Sequence, residues 1–75
     1  MTLNILIHRQ QKGEPQEGRL RAWVVQEGQK GSELLRGSGK TIADAKQAIA
    51  KTMEHDAPGC TIRWTVEDYR IEATE

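Results

Sequence analysis

The sequence predicts an α+β fold in which a single α-helix covers one face of a small antiparallel β-sheet. Two observations lead to this prediction. Only residues 39–53 carry apolar side chains at helical spacing, whereas the other apolar residues alternate with polar ones or form short runs typical of strands. The predicted order is β-β-β-α-β, a three-stranded meander followed by the helix and a C-terminal strand, in a single α+β domain spanning residues 1–75.

The strands are predicted from alternation and from the turn residues between them. Leu3, Ile5 and Ile7 alternate with other residues and indicate the first strand. A mobile loop is expected next, because glycine and proline follow among polar side chains. Three further strands are predicted at residues 19–26, 32–36 and 60–66, and a hairpin turn at residues 28–31 joins the first two of them. Residues 69–73 are predicted to form either a short fifth strand or a frayed tail.

The helix is predicted from an apolar stripe and from its end signals. The stripe consists of Ile42, Ala45, Ile49 and Met53. Thr41 can cap the N-terminus, since its hydroxyl can accept a hydrogen bond from a free backbone N–H of the first turn. Pro58 and Gly59 prevent the helix from continuing beyond about residue 56. A helix with one apolar face needs an apolar surface to lie on, and the strands supply it.

One face of the sheet is then left without a helix, and alternation predicts which residues lie on it. If Leu20, Ala22 and Val24 point towards the helix, their neighbours point away from it. The residues predicted on this exposed face are Leu6, His8, Arg19, Arg21, Trp23, Val25, Thr61, Arg63 and Thr65. An exposed tryptophan with aliphatic neighbours and a rim of arginine is typical of a binding hot spot. A slip of one residue in the second strand would instead bury Trp23 and Val25 in the core.

Composition excludes several classes of protein. The chain has 11 Lys and Arg against 11 Asp and Glu, so its net charge of zero does not favour a nucleic-acid partner. Its one cysteine, Cys60, permits neither an intramolecular disulfide nor a cysteine-based zinc site. No apolar run reaches the ~18 residues of a membrane span, and the N-terminal segment resembles a strand rather than a signal peptide. We expect a cytoplasmic protein that uses no metal, cofactor, membrane or small-molecule substrate.

Patterns that suggest catalysis are incomplete. Residues 37–41, Gly-Ser-Gly-Lys-Thr, suggest a phosphate-binding loop, but the earlier glycine of that motif is replaced by Leu34. His55 and Cys60 are close in sequence, yet neither has the base or orienting partner that nucleophilic catalysis needs. We therefore predict that the protein is not an enzyme. That prediction would change only if a cleft joined His55, Cys60 and an acid.

The start of the helix resembles the strand-to-helix junction of HicB-type antitoxin N-terminal domains. The shared pattern, Gly-x-Thr-x-x-Asp-Ala-x-x-Ala, consists here of Gly39, Thr41, Asp44, Ala45 and Ala48. Those domains are small and have the same β-β-β-α-β order, although this chain lacks the Pro-rich, Cys-containing segment that precedes their junction. The order is also similar to that of phage-encoded inhibitors such as anti-CRISPR proteins, which bind a host protein complex without catalysis. The resemblance implies an inhibitor- or antitoxin-like protein encoded by a phage or mobile element.

Two functions follow from these predictions. The first is a non-enzymatic module that binds a protein partner, or a second copy of itself as a homodimer, through the exposed sheet face. Its predicted binding residues are His8, Arg19, Arg21, Trp23, Val25 and Arg63. The alternative is nucleic-acid binding by the same face, in which the arginines and Lys40 contact phosphates and Trp23 stacks on a base.

Overall fold

A computed structural model of the chain describes residues 2–69 and contains a four-stranded β-sheet with one helix. The elements are β1 (Thr2–Arg9), β2 (Leu20–Gln26), β3 (Gln29–Ser38), α1 (Ile42–Asp56) and β4 (Thr61–Glu67). The α+β class and the order β-β-β-α-β are as predicted. Apart from Tyr69, the predicted fifth strand lies outside the described residues.

The sheet is mixed, so the prediction of a purely antiparallel sheet is wrong. Its strand order is β3-β2-β1-β4, and β4 runs parallel to β1 while the other two pairs are antiparallel. The reason is chain direction. Because β1 and β3 are both antiparallel to β2, they run the same way, and α1 returns the chain along the sheet before β4 begins. A helix of 15 residues is about 22 Å long, enough to span the strands.

The turn between β2 and β3 is shorter than the sequence predicts. Gln26 pairs with Gln29, so the turn consists of Glu27 and Gly28 alone. Both have positive φ, 54° and 77°, as a two-residue hairpin turn of type I′ requires. Because the turn is shorter, β3 begins earlier and is ten residues long. It is longer than β2, and the pairing of the two strands contains three register shifts. The predicted four-residue turn is therefore wrong.

The core lies between α1 and the sheet, as predicted. Its buried members are Ile5, Ile7, Leu20, Ala22, Ala45, Ile49 and Met53. The predicted cap is also confirmed, since the backbone N–H of Asp44 donates to Thr41 Oγ1 at 3.1 Å. Within residues 2–69, no helix has the length and apolar character needed to cross a membrane.

The loop between β1 and β2 is fastened to the sheet by buried polar side chains. Arg9 is 8 % exposed, and its Nε donates to Asp68 Oδ2 at 2.7 Å while its Nη1 donates to the carbonyl of Gly18 at 2.8 Å. Gln10 Nε2 donates to the carbonyl of Pro15 at 3.0 Å. A buried charge is tolerated only when it is paired and hydrogen-bonded, and these contacts meet that need. The loop is thus tied to the sheet at several points, which the polar composition of the segment does not predict.

Candidate functional site on the open sheet face

The face of the sheet opposite α1, called here the open face, has the register that alternation predicts. Leu20 and Ala22 belong to the core under the helix, so Arg21 and Trp23 project from the other side of β2. The alternative in which Trp23 lies in the helix-facing core is therefore excluded. Strand pairing aligns two transverse rows on the open face. They are Glu33, Trp23, Leu6 and Thr65, and Lys30, Val25, Asn4 and Arg63.

Trp23 lies on the open face but is not exposed. Its exposed fraction is only 7 %, so the prediction of an exposed tryptophan is wrong. The guanidinium carbon of Arg21 lies 4.6 Å from the ring centroid, and Lys30 Nζ lies 4.3 Å from it. The imidazole of His8 lies alongside, with ring centroids 6.4 Å apart. Cations over an indole are attracted by its π-electrons, so these side chains cover the ring instead of leaving it to solvent.

Glu33 holds the covering arginine in place. Its Oε2 accepts from Arg21 Nε at 2.7 Å, and its Oε1 accepts from Arg36 Nε at 3.2 Å. The hydrogen bond from Arg21, and then that from Arg36, holds the pKa of the Glu33 carboxyl below its usual value. Glu33 is therefore ionised at neutral pH, and the pair fixes the guanidinium over Trp23.

A second polar cluster borders the same face at His8. Its Nδ1 lies 3.0 Å from Glu67 Oε1, and its Nε2 lies 3.0 Å from Glu14 Oε1. Glu14 belongs to the loop after β1 and also accepts from the backbone N–H of Gln11. That backbone hydrogen bond, and then the contact with His8, lowers the pKa of Glu14. The imidazole thus connects the loop to the end of β4.

The structure brings most of the predicted site residues together. His8, Arg21, Trp23, Val25 and Arg63 share the open face, with Val25 half-buried and Arg63 exposed. Arg19, which precedes β2, is directed away from this group: its Nη1 donates to the carbonyl of Gly37 at 2.9 Å, near the end of β3.

Sequence reasoning missed the contribution of β3 to this face. Lys30 and Glu33 complete the rows across β2, but the sequence prediction assigned Lys30 to a turn. The sequence feature that could have indicated this contribution is the dipeptide Glu27-Gly28, which forms the two-residue turn. A two-residue turn there sets Lys30 opposite Val25 and thereby brings its ammonium over Trp23.

A shallow hollow of about 300 Å³ lies on the open face, and its lining includes Leu6, the cross-strand neighbour of Trp23. Its lining comprises Asn4, Ile5, Leu6, Val25, Glu27, Gly28, Thr65 and Glu67. Half-buried Val25 supplies apolar surface, and the carboxylates of Glu27 and Glu67 supply negative charge. Leu6 lies beneath them and is only 9 % exposed, so the prediction that it is exposed on this face is wrong. The hollow can therefore accept an aliphatic chain that ends in a cation.

His55 and Cys60, which are close in sequence, have different surroundings. His55 is exposed and contacts Asp56, with Nδ1 and Oδ1 3.2 Å apart, whereas Cys60 is half-buried and packs against the core. Across the described chain, no three His, Cys, Asp or Glu side chains form a group that could hold a metal ion. The open face combines an apolar floor, fixed charge and a concave shape. No protein-family model, curated protein or solved structure matches this chain, so the HicB-type and anti-CRISPR resemblances stay predictions.

Proposed function

We propose that the chain is a non-enzymatic protein-binding module whose open face contacts a protein partner. The observation that carries the proposal is that one face combines an arginine held over Trp23 with a hollow bordered by two carboxylates, Glu27 and Glu67. Because Arg21 is held by Glu33 and by the indole, it has little side-chain freedom left to lose on binding. A surface that is ordered before it meets its partner loses less entropy when the complex forms.

The charge balance of the face favours a protein over a nucleic acid. The cations on or bordering it are Arg21, Lys30, Arg36 and Arg63, and the carboxylates are Glu14, Glu27, Glu33 and Glu67. Two of the cations, Arg21 and Arg36, already share Glu33. Binding to phosphates depends on cations that release counterions, and a face with as many carboxylates as cations offers little of that free energy. A mosaic of both signs is typical of protein surfaces that recognise other proteins.

The hollow specifies part of the partner's chemistry. A lysine or arginine of the partner can lay its aliphatic stem on Val25 and direct its charge to Glu27 or Glu67. Arg63, at the end of the neighbouring row, offers a contact for an acidic group beside it. Masking a basic side chain on a partner is the kind of interaction that an inhibitor- or antitoxin-like protein needs, and we include that role in the proposal.

The test compares two single substitutions in the full chain. Val25→Lys fills the hollow with a long cationic side chain, whereas Ala43→Lys adds the same charge on an exposed position of α1. Each is used as bait in lysate of the source organism, with cross-linking to identify captured proteins, after circular dichroism has established that both fold. We expect wild type and Ala43→Lys to capture the same partner and Val25→Lys to lose it. Equal capture by all three baits would contradict the proposal.

A salt series separates this function from nucleic-acid binding. We expect no detectable binding of mixed-sequence DNA or RNA at about 50 mM salt, because carboxylates match the cations of the open face in number and Arg21 and Arg36 already share Glu33. Binding at that concentration, with affinity that falls steeply as salt rises and that is lost in Arg63→Glu, would replace the protein partner with a nucleic acid.

A further inference from the structure

His8 lies between two carboxylates that belong to different parts of the chain. Glu14 comes from the loop after β1, and its Oε1 lies 3.0 Å from His8 Nε2. Glu67 is the last residue of β4, and its Oε1 lies 3.0 Å from His8 Nδ1. The His8 side chain is only 14 % exposed, so water has little room to replace either carboxylate. Both ring nitrogens therefore face a hydrogen-bond acceptor.

The two contacts together require two protons on the imidazole. An ionised carboxylate can only accept a hydrogen bond, and a neutral imidazole has one N–H group, whereas an imidazolium has two. When His8 carries a single proton, its other nitrogen presents a lone pair to a carboxylate oxygen, and that contact becomes repulsive. The bridge from the loop through His8 to β4 is therefore complete only while the imidazole is protonated on both nitrogens.

Charged groups on every neighbouring element act on this imidazole. Glu14 from the loop and Glu67 from β4 attract its protonated form. Arg21 lies opposite His8 on β2 and repels that form. Lys30 of β3 is close enough to Glu14 to interact with its charge, and it too repels an imidazolium. The balance of these opposing charges sets the pH at which His8 exchanges its second proton.

The two carboxylates are not held equally. Glu14 also accepts from the backbone N–H of Gln11, and its Oε2 lies 3.4 Å from His8 Nε2. The Glu67 side chain is 55 % exposed, and its carboxylate is held by His8. When the imidazole keeps one proton, that proton stays on Nε2, opposite the anchored Glu14, and Glu67 is released. Because Glu67 lines the hollow of the open face, its release leaves a carboxylate there that no longer shares its charge with His8.

We infer that His8 is a pH-sensitive switch on the charge of the hollow. With two ring protons it binds Glu67 and joins the loop to β4, and with one ring proton it keeps Glu14 and releases Glu67. The hollow, bordered by Glu27 and Glu67, then attracts a cationic group more strongly. The importance of this switch for partner binding rests on the proposed function, but the switch itself operates in the isolated chain.

Nuclear magnetic resonance of the full chain tests the inference without a partner. Long-range proton–nitrogen correlation spectra report which ring nitrogen of His8 carries a proton, and carboxyl carbon signals report on Glu67. As pH rises, Nδ1 should lose its proton while Nε2 keeps it, and the Glu67 signal should change with the same midpoint as the ring. A neutral ring with its proton on Nδ1 overturns the inference, and so does a Glu67 signal that does not follow His8.

Two substitutions separate the bridge from a general effect of charge. Glu67→Gln and Glu17→Gln each remove one carboxylate, but Glu67 contacts His8 whereas Glu17 is an exposed residue of the loop. Glu67→Gln should move the midpoint of the His8 titration to lower pH by about half a unit or more, because an adjacent carboxylate favours the charged imidazole. Glu17→Gln should leave the midpoint unchanged. Equal midpoints in all three proteins, or equal shifts in the two variants, contradict the bridge.

The charge of the hollow is measured with two small nitroxide probes of similar size, one cationic and one neutral. Relaxation of the backbone amides of Val25 and Thr65, which line the hollow, should rise with the cationic probe relative to the neutral one as His8 loses its proton. That rise should be clearly smaller in Glu67→Gln. An equal rise in both proteins would mean that His8 acts by its own charge alone, and it overturns the switch. A rise that depends on Glu67 in a chain that captures no protein supports the switch and contradicts only the proposed function.

Discussion

The two tryptophans lie on opposite faces of the sheet. The one on the face without a helix is the more deeply buried of the two, although the helix would be expected to bury the other. Trp23 lies on the face without a helix, yet it is 7 % exposed because Arg21 and Lys30 cover it. Trp64 lies on the face that the helix covers and is only half-buried. The difference follows from the strand rather than the face. A residue on a central strand has neighbours on both sides, whereas one on an edge strand has them on one side only.

This comparison assigns the two indoles different roles. The Trp23 ring positions Arg21 and Lys30 on the open face. A partner would therefore contact these cations and not the ring itself. Trp64 retains accessible apolar surface on the last strand of the sheet order.

The largest effect is expected from Trp23→Ala. Truncating an almost fully buried tryptophan should lower the free energy of unfolding by about 3 kcal/mol or more, through lost burial and the cavity left behind. For a domain of this size, that is comparable with the whole stability of ~3–5 kcal/mol. Urea denaturation followed by circular dichroism measures the loss. A change below about 1 kcal/mol would mean that the indole is not packed as described.

Trp64→Ala should have a smaller effect on the monomer. Because the side chain is already half-exposed, its truncation removes less apolar contact, and we expect a loss of about 1 kcal/mol at micromolar protein concentration. Urea curves for Trp23→Ala and Trp64→Ala, recorded at the same low concentration, compare the two sites directly. Equal losses of unfolding free energy in the two variants would contradict the difference in burial between Trp23 and Trp64.

Local patterns in the sequence predicted the local features of this fold. The apolar stripe ending in Met53 and the cap at Thr41 are properties of neighbouring residues, and so is the alternation that assigns Trp23 to the open face. The direction of β4 depends on the path of the whole chain. It was nevertheless implied by the element order, because a helix that follows the third strand must return the chain to the end where that strand began.

Features that depend on distant residues were not predicted. The cover over Trp23 comes from Lys30 across a turn whose length was misjudged, so the burial of the ring could not be inferred from β2 alone. The buried pair of Arg9 and Asp68 joins residues 59 positions apart. Neither residue lies in a pattern that distinguishes it from a solvated charge, and only the parallel alignment of β1 with β4 brings them together.

Glu33→Gln should have a smaller effect than either tryptophan truncation. The substitution removes the charge that holds Arg21 and Arg36 but keeps the size of the side chain, and ion pairs near a surface contribute little to stability. Its clearer consequence is local, because Arg21 is no longer fixed over the indole. In a Trp64→Phe background, where Trp23 is the only tryptophan, acrylamide should quench fluorescence more strongly in Glu33→Gln than with Glu33 intact. Unchanged quenching would show that Lys30 and packing alone seal the ring.

The smallest expected effect is a pH dependence of the free energy of unfolding that comes from the pair of Glu33 and Arg21. Since the pKa of Glu33 is lowered in the folded state from an ordinary value of 4.5, its stabilising contribution is fully present above pH 4.5. It is lost as pH falls through the lower pKa of the folded chain, where the carboxyl takes up a proton. The difference in unfolding free energy between wild type and Glu33→Gln should therefore shrink over that interval. Glu14, whose pKa is also lowered, still titrates in both proteins and cancels in the comparison. A difference that stays constant with pH would mean that the charge of Glu33 does not hold Arg21 over Trp23.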